Sequence, residues 1–406
     1  MMLNENMAPL DKLELIDTSQ RLGLAYLFDD EIKTILQSVY EHTHISTLDL
    51  YATALQFRLF RQHGFKLSQD EHGNFKTCHT EDLKGLLSLF EASFLLEEGE
   101  SILEVAREFA TVSLKNHTQL SKDQYLSMLI NQSLEIPLHW RMLRFESRWF
   151  IDVYERKHDM NPLLLQFAKL NFNIVQATHL EDLKDAARWW RSTCLGEELR
   201  FARDRIVENF LWTVGVKFEP EFEYFRRMST KVNSLITIID DIYDVHGTLD
   251  ELQQFTDVVE RWDVNAIEQL PQYMKICFLS LYNSINQIAL DVLREQGFHI
   301  MPFLKKADEV KRGDVPKSIQ CYMHETGASE EKARDHIESL IDQTWMKMNK
   351  ARVAIDSPFS DAFIGVAVNQ ARMALYMYQY GDGHGNNEEG KTRDRIMSLL
   401  IHPIPM

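Results

Sequence analysis

The strongest chemical signal in this sequence is a group of three carboxylates on one apolar stretch. Within KVNSLITIIDDIYDV (231–245), Asp240 and Asp244 stand one helical turn apart and Asp241 flanks them. Beside Ile236, Ile238, Ile239 and Ile242, three uncompensated anions are strongly disfavoured. A hard, oxygen-seeking divalent cation offsets both their desolvation and their mutual repulsion, and Mg2+ is the expected ion, with Mn2+ as the alternative. A bare Asp-Asp-x-x-Asp also occurs at solvated helix ends; the apolar run before it weighs against that reading here. Upstream, Arg203-Asp204-Arg205 precedes Val207, Phe210, Leu211 and Trp212, so two permanent cations stand at the edge of another apolar segment. Alone, such a pair is usually a solvated face. Folded opposite the aspartates, Arg203 and Arg205 would receive the negative charge that builds on a departing diphosphate.

The elements that must position these groups read as helices. The stretch 231–245 is apolar on nearly every face apart from its carboxylates, which predicts a buried central helix. From Leu13 to about Arg156 the pattern is one of short amphipathic helices. Leu86, Leu87, Leu89, Phe90, Phe94 and Leu95 form one stripe, and Ile102, Val105 and Phe109 another. Glu155 to Asp159, followed by Asn161-Pro162, reads as a boundary, because a helix seldom continues through the residue before proline. Beyond it Leu163, Phe167, Leu170 and Ile174 recur at helical spacing and open a second, longer-helixed domain. Two domains are expected, 1–158 and 159–406. No fixed period of repeats is evident.

Composition agrees. A chain of 406 residues with 45% hydrophobic residues exceeds one core, and only 16 glycines and 10 prolines leave few turns for a many-stranded fold. A formal charge of −17 opposes general binding to nucleic acid or acidic lipid, so an anionic small molecule needs a local positive site. Cys78, Cys194, Cys277 and Cys321 are too scattered for a zinc site and too few for a disulfide framework. The first residues lack an apolar h-region and are too acidic for a transit peptide, so the chain as written reads as cytoplasmic. No run of 18 apolar residues marks a membrane span. The sequons at Asn116 and Asn131 are read as accidental.

The string FRRMSTKVNSLITIIDDIYDVHGTLDELQQFTDVVERWD, Phe225 to Asp263, resembles the aspartate-rich region of plant terpene synthases, as does RDR with ENFLW after it. LYATALQFRLFRQHGF and IPLHWRMLRFESRWFIDVY resemble the N-terminal helical domain of that family, and GDVPKSIQCYM and MYQYGDGHG its C-terminal segments. The phrasing is most similar to the angiosperm monoterpene branch. This resemblance implies an all-α fold, an N-terminal α-barrel-like domain followed by a class I helical bundle. It also implies a lyase that ionises geranyl diphosphate, with farnesyl diphosphate the lesser alternative, and it implies plastid localisation. By the same resemblance Asp240, Asp241 and Asp244 hold magnesium, Arg203, Arg205 and Lys317 contact diphosphate, and Trp212, Asn233, Tyr378 and His384 line or close the pocket. For Trp212 there is an independent rationale, since a ring face stabilises a carbocation without quenching it.

Two features depart from the family pattern. Its second metal motif, (Asn/Asp)-Asp-x-x-(Ser/Thr)-x-x-x-Glu, survives only as a tail at Asp308-Glu309; Lys305 and Met301 stand where ligands are expected, which leaves Glu309 as the one remaining ligand. Asp240 and Glu309 are 69 positions apart, and the family spacing implies roughly eighty more residues there, enough for several ordinary helices. The join is expected at Phe303 to Asp308, where its loss would strip partners from apolar helix faces. The tandem-arginine element associated with cyclic products is not found before Leu13. The alternative readings are an impaired remnant that keeps the fold and metal-diphosphate affinity, and a protein-binding helical scaffold. Oligomeric state is not legible.

Overall fold

The computed structural model describes residues 7–42, 49–67, 82–117, 123–302, 318–352, 359–380 and 391–406. Among these every regular element is helical, as composition predicts. The chain divides into two compact units, Met1–Ile174 with Tyr322–Gln379 and His402–Met406, and Val175–Cys321 with Tyr380–Ile401.

The first unit opens with α1 (Pro9–Arg21), α2 (Asp29–His42), α3 (Leu50–Gln62), α4 (Leu83–Ser93), α5 (Ser101–His117), α6 (Gln124–Glu135) and α7 (Leu143–Tyr154). Asp49, Asp82 and Asp123 cap α3, α4 and α6 by accepting main-chain N–H bonds, and Asp29, Asp30 and Glu31 favour the positive end of α2. Leu13, Ile16, Ile32, Leu36, Leu59 and Phe60 close one core across the first three helices. Of the stripe expected around α4, Leu86, Leu87, Leu89, Phe90 and Leu95 are buried and Phe94 is half-buried. The α5 stripe is not: Val105 is 58% exposed, and Ala106, Ala110 and Leu114 face inward instead. Small side chains let α5 approach the bulky Leu and Phe residues of α4 closely, an advantage that hydrophobicity alone does not rank.

The helical break expected after Tyr154 is present, and Asn161 caps the next helix, α8 (Pro162–Thr193), by accepting from Leu163 and Leu164 N–H at 3.0 and 3.2 Å. Here too the predicted stripe faces outward. Leu163 is 72% and Ile174 56% exposed, whereas Leu165, Ala168, Phe172 and Val175 are buried. Two apolar faces compete on this helix, and packing chose the one with Ala168 at its centre.

In the second unit α8 continues into the single turn α9 (Leu195–Glu198), then α10 (Ile206–Val216), α11 (Glu223–Asp241), α12 (Leu249–Arg261) and α13 (Gln272–Gln296). Trp190, Leu199, Leu235, Ile238, Ile242, Phe255, Val258, Met274, Cys277 and Phe278 form its core. Asp182 of α8 and Arg226 of α11, both fully buried, pair through Nε at 2.9 Å and Nη2 at 2.8 Å; Arg227 adds a third bond to Asp182 at 2.9 Å. That cluster fixes the start of the helix whose far end carries Asp240 and Asp241. By length and composition α13 could cross a membrane, although Met274, Cys277, Phe278 and Leu281 place it in the core, the composition of an interior bundle helix. Its C-terminal part is open: Leu290, Leu293 and the following Phe298 are each nearly half exposed.

Candidate active site

Helical geometry divides the three aspartates between two faces. On α11, Arg226, Thr230, Ser234, Ile238 and Asp241 are buried, while Asn233, Ile236, Thr237 and Asp240 lie on the open side, continued by exposed Asp244. The expected buried central helix is therefore buried on one face only, with Ile236 38% exposed between Asn233 and Asp240. After Asp241 the helix widens into a π turn, Ile242–His246, that carries Asp244. π turns of this kind recur at functional sites.

Asp241 is held by the arginine segment. Its Oδ2 accepts the main-chain N–H of Arg203 at 2.7 Å, and its Oδ1 accepts Arg203 Nε at 2.9 Å and faces Nη2 at 2.8 Å. The carboxylate is 6% exposed and the guanidinium 39%, so this two-point, charge-assisted contact sits at the rim of the core. It draws the first arginine onto the metal motif, the juxtaposition that the sequence left conditional. Arg205 initiates α10, whose half-buried side presents Arg205, Glu208 and Trp212 at helical spacing. Burial raises the Glu208 carboxyl above its usual range, against the favourable bond from its own backbone and the nearby Arg205 charge. Asn209 Nδ2 donates to Thr237 Oγ1 at 3.2 Å and ties α10 to the open side of α11.

Asp240, Asp241 and Asp244 are not gathered into one cluster, and no group of three His, Cys, Asp or Glu side chains suited to a metal occurs among the described residues. The donor chemistry nonetheless fits a hard cation, since the motif supplies only carboxylate oxygens and two of the three lie on the open, wetter side. Tyr378 ends the helix Asp361–Tyr378 in the other unit and is 53% exposed. Glu309, Lys317 and His384 lie outside the described residues.

Sequence reading missed the aromatic residues that border this site. Phe201, two residues before Arg203, stacks on His246, two after Asp244, with ring centroids 3.8 Å apart and planes 12° apart. Tyr273 meets both rings edge-on, at 5.8 Å from Phe201 and 5.1 Å from His246. No fixed spacing joins positions 201, 246 and 273, so only the aromatic flanks of the two motifs hinted at them.

Comparisons with known proteins decide the family. Residues 1–134 match the terpene synthase N-terminal domain, residues 191–308 the metal binding domain of the terpene synthase family, and residues 307–347 the C-terminal metal binding domain of terpene synthase family 2. Terpene synthase 10 of Ricinus communis is 56% identical over 500 positions, covering 100% of this chain and 91% of that protein. The chain belongs to the terpene synthase family. Among solved structures, limonene synthase with 2-fluorolinalyl diphosphate superposes with a TM-score of 0.94 at 39% identity, covering 100% of this chain and 92% of the other. Isoprene synthase from Grey Poplar (Populus x canescens), in complex with three Mg2+ ions and dimethylallyl-S-thiolodiphosphate, does so with a TM-score of 0.92 at 39% identity, covering 100% and 94%. This terpene synthase is thus an all-α protein of the lyase class, with a divalent metal as cofactor and a small molecule as substrate. The same comparison bears on the expected internal gap. An alignment of 500 positions that takes in all 406 residues leaves 94 positions empty, and the two metal-binding matches meet at 307–308.

Proposed function

We propose that this terpene synthase uses Mg2+ to ionise geranyl diphosphate, releases diphosphate, and converts the allylic cation to a monoterpene. The observation that carries the reading is the Arg203–Asp241 contact, which brings the cationic segment and the aspartate-rich helix to one place. Asp240 and Asp244 offer oxygen ligands on the open side, and Asp241 orients Arg203 while neutralising part of its charge; Glu309 is the further expected ligand. Bound there, the divalent ion supplies Lewis-acid neutralisation of the departing diphosphate. Arg203, Arg205 and Lys317 take up the released anion, and Trp212 presents a polarisable face that stabilises a cation without offering a base. Asn233 and His384 complete the pocket wall, and the domains divide near residue 158. The limonene synthase likeness favours a ten-carbon substrate.

The test is incubation of purified protein with Mg2+ and either geranyl or farnesyl diphosphate, volatile product being trapped in an organic overlay, with Asp240→Ala as control. A ten-carbon product that disappears in the control supports the reading, and a fifteen-carbon product alone refutes its substrate. Diphosphate binding without turnover would instead mark an impaired relative.

A further inference from the structure

We infer that the Phe201–His246 stack is a latch that positions the arginine segment on the metal helix, making His246 a positioning residue for diphosphate capture. The inference rests on the function proposed above. Arg203 reaches Asp241 with its own main-chain N–H, a 2.7 Å bond that forms only if the backbone of residues 201–203 lies against the end of α11. Among the described residues around it, the segment from Leu199 to Arg205 has little regular structure of its own: α9 ends at Glu198 and α10 begins at Ile206. Conformational freedom in such a segment opposes any fixed Arg203 geometry unless side chains anchor it. Phe201 supplies an anchor on one side of Arg203, lying flat on His246 at 3.8 Å. His246 is itself fixed, being the last residue of the π turn and edge-on to Tyr273 at 5.1 Å.

Tyr273 is held in turn. Its hydroxyl donates to Glu251 Oε2 at 3.3 Å, and that carboxylate also accepts Thr248 N–H at 3.0 Å in the capping box of α12. A continuous set of contacts therefore runs from the cap of α12 through Tyr273, His246 and Phe201 to Arg203 and Asp241. The π turn is part of the device, because it bears Asp244 and His246 together; an element that fixes His246 also limits where Asp244 can sit. Metal motif and anion-binding segment are thus set by one aromatic contact, which Phe201 and His246 make across 45 positions of chain.

The experiment compares the full chain with His246→Ala, Phe201→Ala and His246→Phe. Hydrogen exchange of the Arg203 amide reads the latch directly, and the affinity for inorganic diphosphate in the presence of Mn2+ reads its consequence. An aromatic pair is worth enough to speed exchange and weaken diphosphate affinity by about 2- to 13-fold in either alanine variant. Both effects should revert in His246→Phe, which keeps the ring face and removes the imidazole nitrogens. Thermal unfolding of the alanine variants should stay within a few degrees of the parent, which separates local positioning from general loss of structure. Unchanged exchange in His246→Ala, or a phenylalanine variant no better than alanine, overturns the latch. Exchange that responds as stated while the parent chain shows no diphosphate affinity upholds the latch's packing and overturns the functional reading instead.

Discussion

Replacing Asp182 by Asn tests the support of the metal helix. Asp182 and Arg226 are both fully buried, and Asp182 accepts from Arg226 Nε and Nη2 and from Arg227 Nε. An asparagine keeps the volume but loses the charge, and turns an amide donor toward guanidinium donors. Removing one partner of a buried pair costs about 3–5 kcal/mol, because the other charge stays buried and unpaired. Arg226 also donates to the main-chain oxygens of Lys217, Glu219 and Pro220, at 3.2, 2.6 and 3.2 Å. These preserve part of its solvation and place the expected loss near the lower limit, about 3 kcal/mol. Arg227 is 32% exposed, so its bond adds about 0.5 kcal/mol at most. Urea denaturation followed by far-UV ellipticity should show the midpoint falling with an unchanged slope. The double variant Asp182→Leu with Arg226→Met, which removes both charges, should recover most of the loss. A single-variant loss below about 1 kcal/mol, or a double variant worse than the single, refutes the assignment of the pair as the anchor of α11.

Arg203→Lys keeps the charge but loses the two-point contact with Asp241, so kcat/KM for geranyl diphosphate should fall about 5- to 10-fold; an unchanged value shows that charge alone suffices. Burial, reinforced by the Arg352 charge, lowers the His63 pKa to about 4, so the unfolded chain binds this proton below about 6.5 and the folded chain only near 4. Stability from this group is therefore complete above pH 6.5 and declines as pH falls toward 4. His139, depressed by burial as well, acts in the same direction. Thermal unfolding across that range should fall less steeply in His63→Gln than in the parent chain, and parallel curves refute the attribution. Inserting the corresponding segment of a relative between Phe303 and Asp308 should cover Leu290, Leu293 and Phe298 and reduce binding of an apolar fluorescent dye; unchanged binding would mean that another surface is exposed.

The all-α class was legible because scarce glycine and proline and the 3.6-residue recurrence act along the whole chain. The motif pair was legible because buried carboxylates and arginines are chemically costly without a task. Which face a helix buries was less legible. On α5 the sequence offers Ile102, Val105 and Phe109, yet Ala106 and Ala110 are the residues it buries, since approach distance outweighs the area of any one side chain. On α8 two apolar faces alternate along 32 residues, and periodicity cannot choose between them.

The same limit explains what could be read of the site. An Asp-Asp-x-x-Asp pattern announces a cation, but spacing alone treats its carboxylates as one patch. Folding separates them: one turn of helix places Asp240 and Asp244 toward the open side and Asp241 toward the core, where a lone anion would be costly. That cost is offset by Arg203, a residue the sequence had assigned to diphosphate. The pairing of the second aspartate with the first arginine is thus a consequence of burial, and under the proposed function it divides the motif: two carboxylates would serve the ion and one the residue that would receive the leaving group.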